Sequence, residues 1–260
     1  MNRDRIFWGI VLLVGGALLL MNNLGWLGSL NIWKIAWPAF LILLGIWVLV
    51  RPYLGAPALE KVAVSLDSAS RGKVRLEYGA GMLEVSGGAA AGMLLEGECG
   101  GGAEIHSGRS GDVLDVRMES TPSGMFALDQ RERRWKLHLA QDIPLELDIR
   151  AGAASNDLNL SNLLVNVLHL SCGASSTTLT LPANAGLTLA EVEAGAASTS
   201  VRIPQGVAAR IRFQGGLSSF GVDSARFPKQ GDVHISPDFD SAANKVDLKI
   251  EAGVGSVDVA

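Results

Sequence analysis

Two patterns of hydrophobic residues divide the chain. Residues 6–21 read IFWGIVLLVGGALLLM and residues 35–50 read IAWPAFLILLGIWVLV, both without a charge. Each run is a little short of the ~20 residues that cross a bilayer core of ~30 Å. Flanking apolar residues, 24–27 after the first run and 32–33 before the second, supply the missing length. A soluble amphipathic helix keeps a polar stripe, and neither run has one. The pattern therefore predicts a transmembrane hairpin of two α-helices over residues 1–55. A cleaved signal peptide competes for the first run, because Arg3 and Arg5 stand where its basic region would. The lack of an A-x-A-like site, and the second span that follows at once, favour the hairpin.

Other features of this region agree with a bilayer. Trp8, Trp26, Trp33 and Trp47 fall near the predicted span ends, where aromatic belts form at membrane interfaces. Gly9, Gly15, Gly16 and Gly45 would let two helices approach closely, and Pro38 would tilt or kink the second. The basic residues of the short flanks are Arg3 and Arg5 before the first span, Lys34 at the start of the second, and Arg51 and Lys61 after it. That bias places both termini inside and the remainder of the chain in the cytoplasm.

Beyond the linker RPYLGAP, residues 51–57, the period changes to two. Leu145, Leu147 and Ile149 alternate with polar residues, as do Leu179 and Leu181, Val201 and Ile203, and Ile211 and Phe213. Alternation of this kind marks strands with one buried face. One phrase recurs between them: GAASNDLNL from Gly152, GASSTTLTL from Gly173, GAASTSVRI from Gly195 and a looser GGLSSFGVD from Gly215, at spacings of 21, 22 and 20 residues. Echoes begin at Gly79 (GAGMLEVSG) and Gly253 (GVGSVDVA). A fixed period near twenty is a solenoid signature. Gly79, Gly152, Gly173, Gly195, Gly215 and Gly253 are the expected repeat turns, supplying φ > 0, with Ala or Ser beside them so that coils stack closely. Residues 56–260 are thus expected to form an all-β repetitive domain, a parallel β-helix-like solenoid; a β-sandwich from the same strands is the alternative. The last strand, residues 253–260, ends without a capping helix and is expected to leave an edge open to another copy.

Composition narrows the function. Net charge is −4 and the 22 basic residues are scattered, so no positive face is offered to nucleic acid. Five of the six tryptophans lie in the first fifty residues, as expected of two regions in different solvents. Cys99 and Cys172 are too few and too far apart for a disulfide framework or metal site and read as buried hydrophobes or free thiols. His106, His138, His169 and His234 lack zinc-ligand spacing. GxxxxGK[ST] is absent, and GxGxxG does not occur in a strand-to-helix setting, so no cofactor is expected. The run GECGGG, residues 97–102, reads as a mobile loop rather than an anion-binding nest. Asp157, Asp238 and Asp240 are the nearest carboxylates to a cleft, and turn or capping roles suit them better. RERRWK, residues 131–136, is the one local basic cluster; it reads as a solvated loop with Trp135 tucked into the core, the alternative being contact with anionic headgroups. No set of acid, base and nucleophile converges, so the chain is not expected to be an enzyme.

The hairpin, FWGIVLLVGGALLLMNNLGWLG followed by IWKIAWPAFLILLGIWVLVRP, resembles the LiaI/LiaF-type transmembrane region of bacterial envelope proteins. WKLHLAQDIPLELDIRAGAASNDLNLSNL, with GASSTTLTLP and GAASTSVRIP after it, resembles the LiaF-like and toast-rack (DUF4097-type) β domains that accompany such hairpins. The resemblance implies a two-pass protein of the bacterial inner membrane whose partners are the bilayer and other membrane proteins, among them a sensor kinase of the cell-envelope stress response. It carries no catalytic residues over. A structural scaffold that self-assembles into a homo-oligomer through its solenoid ends is the alternative.

Overall fold

Period-two alternation makes strands almost throughout the second unit of the chain, Ala56–Ala260. The computed structural model describes residues 59–120 and 133–260, with three isolated helical positions at Trp37, Leu41 and Leu44. The predicted hairpin, including Trp8, Trp26, Trp33 and Trp47, lies outside the described residues. No helix among the described residues is long and apolar enough to cross a membrane. Thirteen strands follow in order: β1 (Glu60–Ser65), β2 (Arg71–Gly87), β3 (Met93–Cys99), β4 (Ala103–Ser110), β5 (Val113–Ser120), β6 (Arg134–Leu139), β7 (Pro144–Asn159), β8 (Leu164–Thr180), β9 (Leu187–Arg202), β10 (Ala208–Val222), β11 (Lys229–Gln230), β12 (Val233–Ile235) and β13 (Lys245–Val259).

The long strands are bent. Straight, the 16 residues of β7 would reach roughly 50 Å at ~3.3 Å each. Residues 160–163, which lead into the parallel strand β8, span at most roughly 14 Å. The strand must therefore double back, and the burial pattern marks where. Leu145, Leu147, Ile149 and Ala151 are buried, then Gly152 and Ala153 both face out, then Ala154, Asn156 and Leu158 are buried. The same change of phase falls at Gly173–Ala174 in β8, at Gly195–Ala196 in β9 and within residues 253–255 of β13. Each rung is thus two limbs meeting at an elbow, with the core between them. Equivalent residues stack in columns: Val74, Leu147, Leu168, Ala190, Leu248 and Ile211 in the first limb, and Val85, Leu158, Leu179, Val201, Val259 and Val222 in the second. This parallel stack fits a β-solenoid. One inner column is polar at its centre, where Asn156 donates to Thr177 Oγ1 at 2.9 Å beside Thr199, all three buried.

The elbow glycines do something other than the sequence led us to expect. Gly79, Gly152, Gly173, Gly195 and Gly253 stack in one column, and none of them has positive φ. What they lack is a Cβ. One added at Gly152 would lie 2.4 Å from the Gly79 carbonyl oxygen, and at Gly173, Gly195 and Gly253 it would lie 3.0, 3.0 and 2.6 Å from the glycine oxygen of the neighbouring rung. Close approach of main chains, and not torsion, selects glycine here. The column's last member is Gly216 and not Gly215, since Gly215 pairs with Ala252 one place earlier. A Cβ on Gly216 would meet the Gly253 oxygen at 3.1 Å.

Rung order departs from chain order at one end. The stack runs β2, β7, β8, β9, β13, β10, so the C-terminal strand is inserted between β9 and β10 and paired in parallel on both sides. The edge expected at residues 253–260 is therefore not free. Inserting β13 covers Ala190, Val192 and Val201 of β9 with Leu248, Ile250 and Val259. At the other end β2 is covered on both limbs, by β5 over Arg71–Glu77 and by β6 over Met82–Gly87. Antiparallel strands extend these, β4 on β5 and then β3 and β1 beyond β6. Gly97 and Cys99, expected in a mobile loop, are part of β3, and only the turn that follows carries positive φ, at Gly101 and Gly102.

Because a Cβ at Gly152 would collide with main chain, Gly152→Ala should destabilise the β domain by about 1–3 kcal/mol. Gly108, where an added Cβ meets nothing within 4 Å, is the control, and Gly108→Ala should change stability by less than about 0.5 kcal/mol. Thermal melting of the full chain in detergent, followed by circular dichroism, distinguishes the two.

Candidate functional site

Missing side chains leave a groove along the elbow. Its floor is the glycine column. Its wall is the column Glu77, Arg150, Ser171, Glu193, Glu251 and Gln214; the column Ala80, Ala153, Ala174, Ala196, Val254 and Leu217 follows the glycines on the other side without lining it. Two shallow, open depressions lie along it. One of about 650 Å³ spans β8, β9, β13 and β10 and is acidic at its rim, with Glu193 and Glu251. The other, of about 440 Å³, lies over β2 and β7 between Glu77, Glu119 and Arg150.

The outer face of the first limb is an ion ladder across rungs. Glu191 accepts from Lys249 Nζ at 2.8 Å and lies 3.4 Å from His169 Nδ1, while Lys249 also reaches Glu251 at 2.7 Å. Hydrogen bonds that Lys249 donates to Glu191 and Glu251 hold its ammonium above its ordinary range, and the bond from Lys249 holds the Glu191 carboxyl below its own. Asp247 pairs with Arg210 and, at 2.6 Å, with Arg212. Exposed pairs of this kind contribute little stability each; they fix surface register and polarity. The outer face of the second limb is different, carrying the hydroxyl column Ser155, Ser176, Ser198, Ser256 and Ser219.

Chemistry-bearing residues are dispersed. Asp157, Asp238 and Asp240 are exposed, and the Asp238 and Asp240 carbonyls accept turn hydrogen bonds from Ala242 and Lys245. His106 is exposed, His138 Nδ1 meets Ser86 Oγ at 3.0 Å, and His234 Nδ1 meets the Phe227 carbonyl at 3.1 Å. No group of three metal-ligating side chains is assembled among the described residues. Cys99 and Cys172 are free and buried. Burial pushes the Cys99 thiol up to about 12, which keeps it protonated and unreactive. Burial likewise pushes Tyr78 up to about 12, where its ring packs 5.1 Å from the ring of the fully buried Trp135. Trp135 is tucked into the core as expected, but Arg134, Trp135 and Lys136 belong to strand β6 rather than to a loop, with Arg134 and Lys136 exposed, and residues 131–132 lie outside the described residues. The arrangement can present surfaces; it gathers no reacting groups at one point.

Fold and surface together define a class: an all-β rack of parallel rungs that presents an elbow groove and two patterned faces. The chain belongs to the toast_rack family, since the model for the N-terminal domain of toast_rack, DUF2154, matches residues 57–202, more than half of its length. A second model, the LiaI-LiaF-like transmembrane region, matches residues 6–49, which makes this a membrane-anchored protein. Neither is an enzyme family. A crystal structure titled as a "putative cell adhesion protein" from Clostridium sporogenes ATCC 15579 superposes with a TM-score of 0.71 at 21% identity, covering 78% of this chain and 98% of that one. At that identity the likeness concerns the fold alone. No curated protein matches the sequence.

Proposed function

We propose that this chain is a non-catalytic protein-interaction module of the bacterial inner membrane, an accessory or regulator in the cell-envelope stress response that contacts another membrane protein such as a sensor kinase. The observation that carries the reading is the pairing of a LiaI-LiaF-like transmembrane match with a rack that offers an open groove in place of convergent chemistry. Parallel rungs hold the groove rigid, so a bound segment loses its own freedom but requires little ordering of the receptor. Two spans with both termini inside put the rack in the cytoplasm, where a kinase domain would be met. Open-ended assembly, the scaffold reading, requires both ends of the stack to be free, and β2 is covered on both limbs.

The tests follow these two elements. Affinity purification of the full chain from membranes, with partners identified by mass spectrometry, should recover a membrane protein. Recovery should fall at least about tenfold, or ~1.4 kcal/mol, when Glu193 and Glu251 are both replaced by Lys. Unchanged recovery from that variant would remove the groove from the account, and recovery of no protein would remove the interaction module itself. For sidedness, a reporter fused after Ala260 should signal from the cytoplasm of intact cells. An external signal would reverse the topology and favour an adhesive role.

A further inference from the structure

The residues that follow the elbow glycines form a ridge beside the groove: Ala80, Ala153, Ala174, Ala196, Val254 and Leu217. All but the half-buried Ala80 are exposed, and the ridge grows toward the β10 end, where Val254 is 56% and Leu217 83% exposed. No charge interrupts it. At ~4.8 Å per rung it runs for roughly 24 Å. Contiguous exposed apolar surface of this kind marks a place that another molecule covers. Across the glycines stands the groove wall, where Glu77, Glu193 and Glu251 outnumber the single guanidinium of Arg150. Lys249 is committed to Glu191 and Glu251, and Glu193 makes no ion pair among the described residues. Only main chain lies between ridge and wall, so side chains of a molecule seated on the ridge can reach across to the carboxylates.

We propose that the ridge seats an α-helix of a partner protein, apolar on the face it lays down and basic along the flank that looks across the glycines to Glu193 and Glu251. The proposal rests on the interaction-module reading and names the element that the module takes. Three features select this occupant. First, the ridge residues are already paired rung to rung, as Ala80 is with Ala153 and Val254 with Leu217. An extended segment laid along them would bury N–H and C=O groups without partners, whereas a helix satisfies its own. Second, the length fits: roughly 24 Å at ~1.5 Å per residue is about 16 residues, an ordinary amphipathic helix read through its i, i+3, i+4 and i+7 anchors. Third, the wall calls for cations. A second copy would bring the same carboxylates, and the anionic surface of a leaflet would be repelled by them.

The test uses the full chain in zwitterionic nanodiscs, with the signal of empty nanodiscs subtracted. The probe is a synthetic peptide of about 16 residues, with leucine and alanine on one helical face and lysine along one flank. It should bind and gain helical circular dichroism. Leu217→Ser should weaken binding at least about tenfold with the melting curve unchanged, and Val254→Ser repeats the test if Leu217→Ser folds poorly. Glu193→Lys with Glu251→Lys should weaken it as much. Asp157→Lys with Asp258→Lys makes the same change of charge at exposed positions of the second limb and should leave binding intact. Absence of binding, equal loss from both charge pairs, equal binding of a scrambled peptide, or binding without a gain of helix would each overturn the proposal. So would a dimer of the unmodified chain that Leu217→Ser dissociates, since the ridge would then belong to a second copy. If the peptide fails while purification from membranes still recovers a membrane protein, the interaction module stands and the helix does not.

Discussion

A bent strand that stacks on copies of itself must bring main chains within ~4.8 Å at the point where each one changes direction. A Cβ directed along the stack at that point meets the carbonyl oxygen of the preceding rung at Gly152, Gly173, Gly195, Gly253 and Gly216, which is why glycine recurs there; Gly79, the first of the column, supplies the oxygen that Gly152 approaches. The rest of the structure depends on this contact. It fixes the elbow at the same place in every rung, and a fixed elbow makes the buried phase switch in register. Leu147 then lands on Leu168 and Leu158 on Leu179. It also creates the groove, since a column without side chains beside the column Glu77 to Gln214 leaves two shallow depressions along the stack.

Much of this was legible in the residues. Period two gave the strands, and the phrases at Gly152, Gly173 and Gly195 gave successive rungs, because their spacing matches one rung plus one connector. Two things could not be read. A glycine needed for a contact looks the same in sequence as one needed for torsion, so positive φ was expected where none occurs. The order of the last two rungs was also hidden, because a repeat defines a set of equivalent strands without saying which of them are neighbours. The Gly215 assignment was recoverable. Read from Gly216, GLSSFGVD matches GAASTSVR position by position, with a spacing of 21 from Gly195; the doubled glycine disguised the phase. The groove had no sequence signal beyond the glycines themselves, and its wall comes from residues such as Arg150 and Glu251 that are far apart in the chain.

The two ends of the rack are built differently. At the β2 end, antiparallel strands with charged edges close both limbs. At the β10 end, residues 223–244 pair through β12 with the first limb alone, while the His234 ring packs edge-on 5.7 Å from Phe220 of the second limb; Arg226 donates to the carbonyls of Ile203 and Pro204, and Ser236 bonds to Ala209. That asymmetry turns a repetitive stack, which could have grown without limit, into a unit with one closed end. It also separates two kinds of surface, the groove and faces along the side of the rack and a single uncharged edge at its tip.

The claim on which most rests is that β13 is an interior rung held between β9 and β10 by the glycine contact. Hydrogen exchange of the full chain in detergent, read by mass spectrometry, tests it directly, because amides paired in the interior of a sheet exchange more slowly than those at an edge. Peptides covering Lys245–Val259 should be among the slowest and should outlast those covering residues 213–222. Fast exchange of Lys245–Val259, with residues 213–222 protected in their place, would contradict the rung order.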